Sequence, residues 1–168
     1  MSDPPEMESP AVRSATLKTH VRRVTLHGVP HTPGVAARIF KQIGSRNINV
    51  EDIIATTSEG GRDVIVSFTV DELQSEMARE VAEQIAQRFG DTTVECSEKL
   101  ARLRMVGMGM RAQSGVAARV FDALAAEGIN IENISTSEIV ISCIVDEKDG
   151  ERALQALHAA FDLDNADE

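Results

Sequence analysis

The five residues "GVAAR" occur twice in this 168-residue chain, at Gly34–Arg38 and at Gly115–Arg119. The match extends downstream: "GVAARIFKQIGSRNINVEDI" aligns with "GVAARVFDALAAEGINIENI", half of the positions being identical and most others exchanging like for like. A chain of this length holds one domain or two small ones. An internal repeat of this size decides for two, and it asks both copies to fold on one plan.

The first copy opens on "VRRVTLHGV", where Val24 and Leu26 alternate with polar residues as in a half-buried strand. "PHTPG" breaks the strand, and Pro33 suits the first turn of a helix. Ala36, Ile39, Phe40 and Ile43 fall on one face of that helix. "NINVEDIIATT" reads as a second strand and the glycines of "SEGGRD" as a turn. "VIVSFTV" returns as a third strand, alternating Val64, Val66, Phe68 and Val70. Met77, Val81, Ile85 and Phe89 recur every four residues and predict a second amphipathic helix, with "TTVEC" as a short last strand. The order β-α-β-β-α-β is the ferredoxin-like, split βαβ arrangement.

The second copy repeats the plan. "RLRMVGM" is a strand and "SGVAARVFDALAAEG" a helix with Val120, Phe121 and Leu124 inward. "INIENIST" and "EIVISCIV" are strands joined by a tight turn near Ser135–Glu138, and "DGERALQALHAAF" is a helix carrying Leu154, Leu157 and Phe161. The acidic "DLDNADE" that follows makes no useful strand, so this copy lacks its last one. "PAVRSATL", Pro10–Leu17, alternates as a strand and lies ahead of the first copy. Pairing it into the second copy inserts the first unit within the second and closes an otherwise exposed edge. The expected layout is a disordered tail at 1–9, a strand at 10–18 completing the second domain, a first domain at 20–97, the second at 98–163 and an acidic tail at 164–168.

Composition narrows the functions open to such a chain. Net charge is −10, from 17 basic and 27 acidic residues, and nucleic-acid affinity rests on neutralising phosphates. Aromatic content of 3%, without Trp or Tyr, also removes the stacking platforms of single-strand binders. No nucleic-acid partner is expected. The N-terminus "MSDPPEMESP" is acidic and Pro-rich rather than a signal peptide, and no apolar run reaches a membrane span. A cytoplasmic protein without a membrane partner is the expectation.

Catalytic, metal and cofactor motifs are equally sparse. Cys96 and Cys143 make no CxxC or metal-ligand spacing and read as buried thiols. His27 and His31 straddle a strand end and a proline, with nothing arranged to complete a metal site. "GMGM" at Gly107–Met110 lacks the third glycine of a dinucleotide fingerprint. Catalytic, metal and cofactor residues are all expected to be none. The repeated feature open to chemistry is the loop before each "GVAAR", where glycine lets a backbone approach a ligand and the first helical N–H groups favour a carboxylate. The glycines could equally do no more than permit the turn. Each helix is followed by "IN" and an acidic position (Asn49 and Glu51, Asn130 and Glu132), where the asparagines either cap the turn or present amides.

These stretches resemble the regulatory region of aspartate kinase, built from two ACT domains. "VTLHGVPHTPGVAARIF" is similar to that family's first regulatory strand, loop and helix, and "INVEDI" to its next strand. "VGMGMRAQSGVAARVFDALAAEGINIENISTSEIVIS" matches its second domain, "STSEI" being the most specific piece. "MESPAV" resembles the place where separately translated regulatory subunits begin. The resemblance implies an α+β fold of two ferredoxin-like βαββαβ ACT domains, the first inserted into the second, and a homodimer through ACT domains. It further implies an amino-acid effector, threonine or lysine, bound between units for feedback control of an aspartate kinase catalytic domain or subunit. The kinase half itself is matched nowhere, so the chain is expected to be non-catalytic on its own, as a natural subunit or as a fragment.

By the same resemblance the effector-contacting loop runs from His31 to Ala36, taking in Pro33, Gly34 and Val35. The strand starts contribute Asn49 and Val50 in one unit and Asn130 and Ile131 in the other. Ala55, Gly115, Ala117, Ser137 and Glu138 complete the expected effector set. Several positions depart from the family's pattern: His31 stands for a usual acidic residue, Ala55 for a glutamine, Thr56 for an asparagine, Ala117 for a hydroxyl and Ser114 for a proline. A hydroxyl-recognising site that loses polar partners discriminates less well. The alternatives are an ACT assembly module without effector binding and a stand-alone amino-acid sensor.

Overall fold

The computed structural model describes residues 12–107 and 113–163, the side chains of Gln113 and Ser114 apart. The expected tails, the first two residues of the 10–18 strand and Met108–Met110 of "GMGM" lie outside the described residues. The elements run β1 (Val12–Pro30), α1 (Val35–Gly44), β2 (Glu51–Thr57), β3 (Asp63–Asp71), α2 (Glu72–Phe89), β4 (Thr93–Cys96) and β5 (Leu100–Gly107). Then come α3 (Gln113–Ala126), β6 (Asn133–Thr136), β7 (Val140–Asp146), a 3-10 turn at Glu147–Asp149 and α4 (Gly150–Ala160).

The chain divides into an inserted unit, His20–Leu100, and a split unit made of the residues before His20 and from Ala101 onward. In the inserted unit the sheet order is β4-β1-β3-β2, with every neighbouring pair antiparallel. In the split unit it is β1-β5-β7-β6. Both are the same four-strand order, the ferredoxin-like βαββαβ plan, with the first unit inserted into the second. The missing last strand of the second copy is the N-terminal half of β1. What the alternation does not reveal is that this strand and the first strand of the inserted unit are one 19-residue element. The chain passes between units at His20, whose φ of 58° is uncommon for a residue with a side chain.

Each unit has its own core. That of the inserted unit gathers Val24, Leu26, Ile39, Ile43, Phe68, Val81 and Ile85, and Phe40 meets Phe68 edge-on at 5.9 Å. That of the split unit gathers Leu103, Met105, Val120, Leu124, Ile141, Cys143 and Leu157, with Val12 and Ala15 from β1. His158 on α4 donates its Nε2–H to the Ala15 carbonyl at 2.9 Å, tying the borrowed strand to the last helix.

Some expected inward faces are rotated. On α1 the buried residues are Val35, Ile39 and Ile43, with Ala36 exposed and Phe40 half-buried. On α2 they are Ala78, Val81, Ala82, Ile85 and Ala86, while Met77 is 41% exposed. A strict every-fourth-residue row is inclined to the helix axis, so its ends swing out of the buried stripe. Phe121 on α3 is 44% exposed rather than inward. The strands after α1 and α3 begin at Glu51 and Asn133, later than expected, because Asn47–Val50 and Asn130–Glu132 form the approach loops.

Two irregularities shape the inserted unit. The β1–β3 register shifts between Leu26 and Val29, where Gly28 has φ +73° and a Cβ would meet the Asp91 carbonyl at 3.0 Å. The β2–β3 register shifts between Glu51 and Ile54, with Asp52 at φ 48° and the buried Thr69 hydroxyl 2.8 Å from its carboxylate. Bulges of this kind re-aim side chains, and Ile53 stands 53% exposed beside this one.

Candidate functional site

The loop after β1 is built by short backbone bonds. Thr32 N–H donates to the Pro30 carbonyl at 3.0 Å, and Val35 N–H to the Thr32 carbonyl at 3.4 Å. His31 is hooked onto the β2–β3 hairpin, its N–H donating to the Arg62 carbonyl at 3.4 Å and its Nδ1–H to the Gly61 carbonyl at 3.2 Å. Pro33 precedes α1 rather than opening it. Gly34 is the N-cap in the left-handed region, φ 86°, with no side-chain cap, and the first turn holds no acidic residue. The N–H groups of Ala36 and Ala37 therefore have no acceptor within the helix at the positive end of its dipole. Val35 points into the core and offers only backbone.

The loop after α1 is clamped from α2. Gln74 accepts the Asn49 N–H on Oε1 at 3.1 Å and donates Nε2–H to the Asn47 carbonyl at 3.0 Å. Asn49 is exposed and Val50 packs against the core. Strand register places the two loops at opposite ends of the inserted unit. Pro30 lies opposite Asp63 and Thr57 opposite Val64, whereas Val21 lies opposite Asp71 and Glu51 opposite Thr69. Ala55, opposite Val66, lies between and is exposed.

In the split unit the same sorting holds with different detail. Gly115 is not at the handover from strand to helix but within α3, which starts at Gln113, and its φ is not positive. Ala117 is half-buried in the first turns of α3, and Asn130 and Ile131 follow the other end of the helix. Asn130 is exposed, while Ile131 packs on the core. Ser137 builds the β6–β7 turn: its N–H donates to the Val140 carbonyl at 2.8 Å, and its hydroxyl oxygen accepts from Val140 N–H at 3.1 Å. Glu138 is exposed at the tip of this turn.

Three contributors were not legible as site residues. Arg38 lies 5.9 Å from the Phe89 ring centroid and Arg119 lies 4.9 Å from that of Phe161, so the arginine of each repeat covers the phenylalanine ending the second helix of its own unit. Their signal was the shared final letter of "GVAAR". Gln74 carries no such signal in the sequence. His27 and His31 face separate partners, His27 reaching Glu95 at 3.0 Å. Cys143 is fully buried and its thiol is pushed up to about 12 by desolvation. Cys96 is half-buried and also raised, again chiefly by burial.

Comparison with known proteins gives one answer along the chain. Residues 23–90 and residues 103–161 each match an ACT-domain family model. Aspartate kinase of Pseudomonas fluorescens is 40% identical over 158 residues, covering 94% of this chain and 38% of the relative. The chain thus spans little more than a third of the curated relatives it matches. The regulatory subunit of aspartate kinase from Thermus flavus superposes with a TM-score of 0.81 at 33% identity, covering 90% of this chain and 99% of that one. Aspartokinase III of E. coli, in complex with lysine and aspartate, superposes with a TM-score of 0.68 at 26% identity, covering 92% of this chain and 34% of that one. No helix among the described residues is long and apolar enough to cross a membrane. With two ACT folds in the inserted order and a match along nearly the whole of a solved regulatory subunit, the chain belongs to the aspartate kinase family as its regulatory, tandem-ACT part.

Proposed function

We propose that this chain is the amino-acid-sensing module through which an aspartate kinase is inhibited by an end product of its pathway, lysine or threonine. The observation that carries this reading is the match along 99% of a regulatory subunit. The lysine held by the E. coli relative supports lysine as one effector. The effector's carboxylate would sit on the N–H groups of Ala36 and Ala37 behind Gly34, with His31 and Pro33 walling the loop. Asn49 and Val50 would face it from a second unit, because one unit holds them and the helix entry at opposite ends, and Ala55, between those ends, would complete the set. Gly115 and Ala117, with Asn130, Ile131, Ser137 and Glu138, would form the counterpart, Asn130 and backbone carbonyls taking the ammonium. A homodimer through ACT units is part of this proposal, as are the kinase partner and a cytoplasmic location.

Regulation then requires the effector to bind two arrangements of the module with different affinity. Thermal unfolding with each protein amino acid in excess tests the reading. A ligand at 100 times its dissociation constant adds about 2.7 kcal/mol, a rise of roughly 5–10 °C for a chain of this size. A rise confined to lysine or threonine is expected. Cooperative unfolding that no amino acid shifts would overturn the sensor and leave an assembly role.

A further inference from the structure

The first turn of α2 touches two places that matter to a sensor. Gln74 holds the loop leading to Asn49 by both atoms of its amide, accepting from Asn49 N–H at 3.1 Å and donating to the Asn47 carbonyl at 3.0 Å. Glu72, two residues earlier, faces the strands by which the chain enters and leaves the inserted unit. Its Oε2 lies 3.0 Å from His20 Nδ1, and its Oε1 lies 3.2 Å from Lys99 Nζ and 3.7 Å from an Arg22 guanidinium nitrogen. His20 and Lys99 stand beside the two points, Thr19/His20 and Leu100/Ala101, where the chain passes between units.

The far side of this cluster is also tied. Arg22 donates to the Ser97 carbonyl at 2.9 Å, Ser97 N–H donates to the Arg23 carbonyl at 2.8 Å, and Arg23 N–H donates to the Ser97 hydroxyl at 2.8 Å. The incoming and outgoing strands are therefore stitched to each other and, through one carboxylate, to the start of α2. Residues 72 and 74 share the first turn of α2, whose start is capped by the Asp71 carboxylate accepting from Leu73 N–H at 2.9 Å. A displacement of the Asn47–Asn49 loop that pulls on Gln74 displaces Glu72 with it.

We infer that the first turn of α2 is the coupling element of the module, Gln74 reading the state of the Asn49 loop and Glu72 imposing it on both chain passages between the units. They are positioning residues, acting on a ligand only through the Asn49 loop. The inference rests on the effector reading for its purpose, but its mechanical content holds without any ligand. Linkage requires the coupling to run both ways.

The test is residue-resolved amide hydrogen exchange on the 168-residue chain, first without ligand. Gln74→Ala is expected to speed exchange at the remote Arg23 and Ser97 amides, and Glu72→Gln at the remote Asn49 amide, each by roughly 2- to 30-fold, the span of known couplings. The double variant should fall short of the product of the two. Glu72→Asp keeps the favourable charge at the helix start but shortens the side chain, so it should act as Glu72→Gln does. Effects confined to each variant's own contacts, or full recovery in Glu72→Asp, would overturn the inference and leave helix fraying as the cause. Lysine and threonine are then added to the wild type. Protection of both Asn49 and Ser97 is expected. Protection of Asn49 alone overturns the coupling and keeps the effector reading. If neither amino acid protects any amide while the ligand-free reciprocity holds, the effector reading falls and the coupling stands.

Discussion

The two "GVAAR" segments share their letters but not their backbones. Gly34 lies outside α1 as a left-handed N-cap, while Gly115 lies inside α3 in an ordinary helical position. The side chains behave alike: Val35 and Val116 are buried, as are Ile39 and Val120, and both arginines cover a phenylalanine. The common part of the repeat is thus a packing device, and what each glycine does is set by where its helix begins. A second contrast lies in the cores. Phe40 has Phe68 as an edge-on partner, but at the matching place in the split unit stands Cys143, and Phe121 is left 44% exposed.

The core contrast gives the largest expected effect. Phe68→Ala should cost about 3–5 kcal/mol and Cys143→Ala about 1 kcal/mol, measured by urea unfolding. Equal losses would mean that the aromatic pair does not distinguish the units. The glycine contrast comes next and predicts opposite signs. Gly34→Ala should destabilise by about 1–2 kcal/mol, the cost of a left-handed L-residue. Gly115→Ala, where a Cβ meets nothing within 4 Å, should stabilise by up to about 1 kcal/mol. The same sign at both would erase the backbone difference. Arg38→Ala and Arg119→Ala should each cost about 0.5–1 kcal/mol, Arg119 the more, because it also donates to the Ala160 carbonyl at the end of α4.

The smallest effect is one of pH. The Glu72 carboxyl is held below its ordinary 4.5, first by the Lys99 hydrogen bond and then, against some desolvation, by His20. A lowered value in the folded state means a contribution that is complete above about pH 4.5 and is lost as pH falls through the folded value. Melting temperatures from pH 6 to pH 3 should therefore fall less steeply in Glu72→Gln than in the wild type.

Element order and the borrowed strand could be read from the sequence because they rest on period-2 alternation and on an internal comparison: one copy supplied the template against which the other's missing strand was visible. Face assignments were less legible. The row Met77, Val81, Ile85, Phe89 is regular in sequence, yet only its middle pair is buried, and Ala78 and Ala82 join Val81 and Ile85 in the core, since small side chains let the helix approach and carry little hydrophobic signal. The site was legible as loops but not as geometry. Nothing in the local pattern of His31 or Asn49 says that they lie at opposite ends of one unit, because that follows from strand direction. Gln74 was invisible for the same reason: its partners are 25 and 27 residues away.

The 19-residue β1 also sets a timetable. Val12–Thr19 leaves the ribosome ahead of the whole inserted unit, yet its partner strand β5 begins only at Leu100, and the helix that His158 uses to hold Ala15 comes later still. The inserted unit is one continuous stretch and can fold as soon as it is made. The split unit cannot close until β5 to α4 have followed, a delay of roughly 4–30 s at ordinary elongation rates. During that interval the earlier half of β1 is without its final neighbours, so the inserted unit is finished while the unit surrounding it is still open.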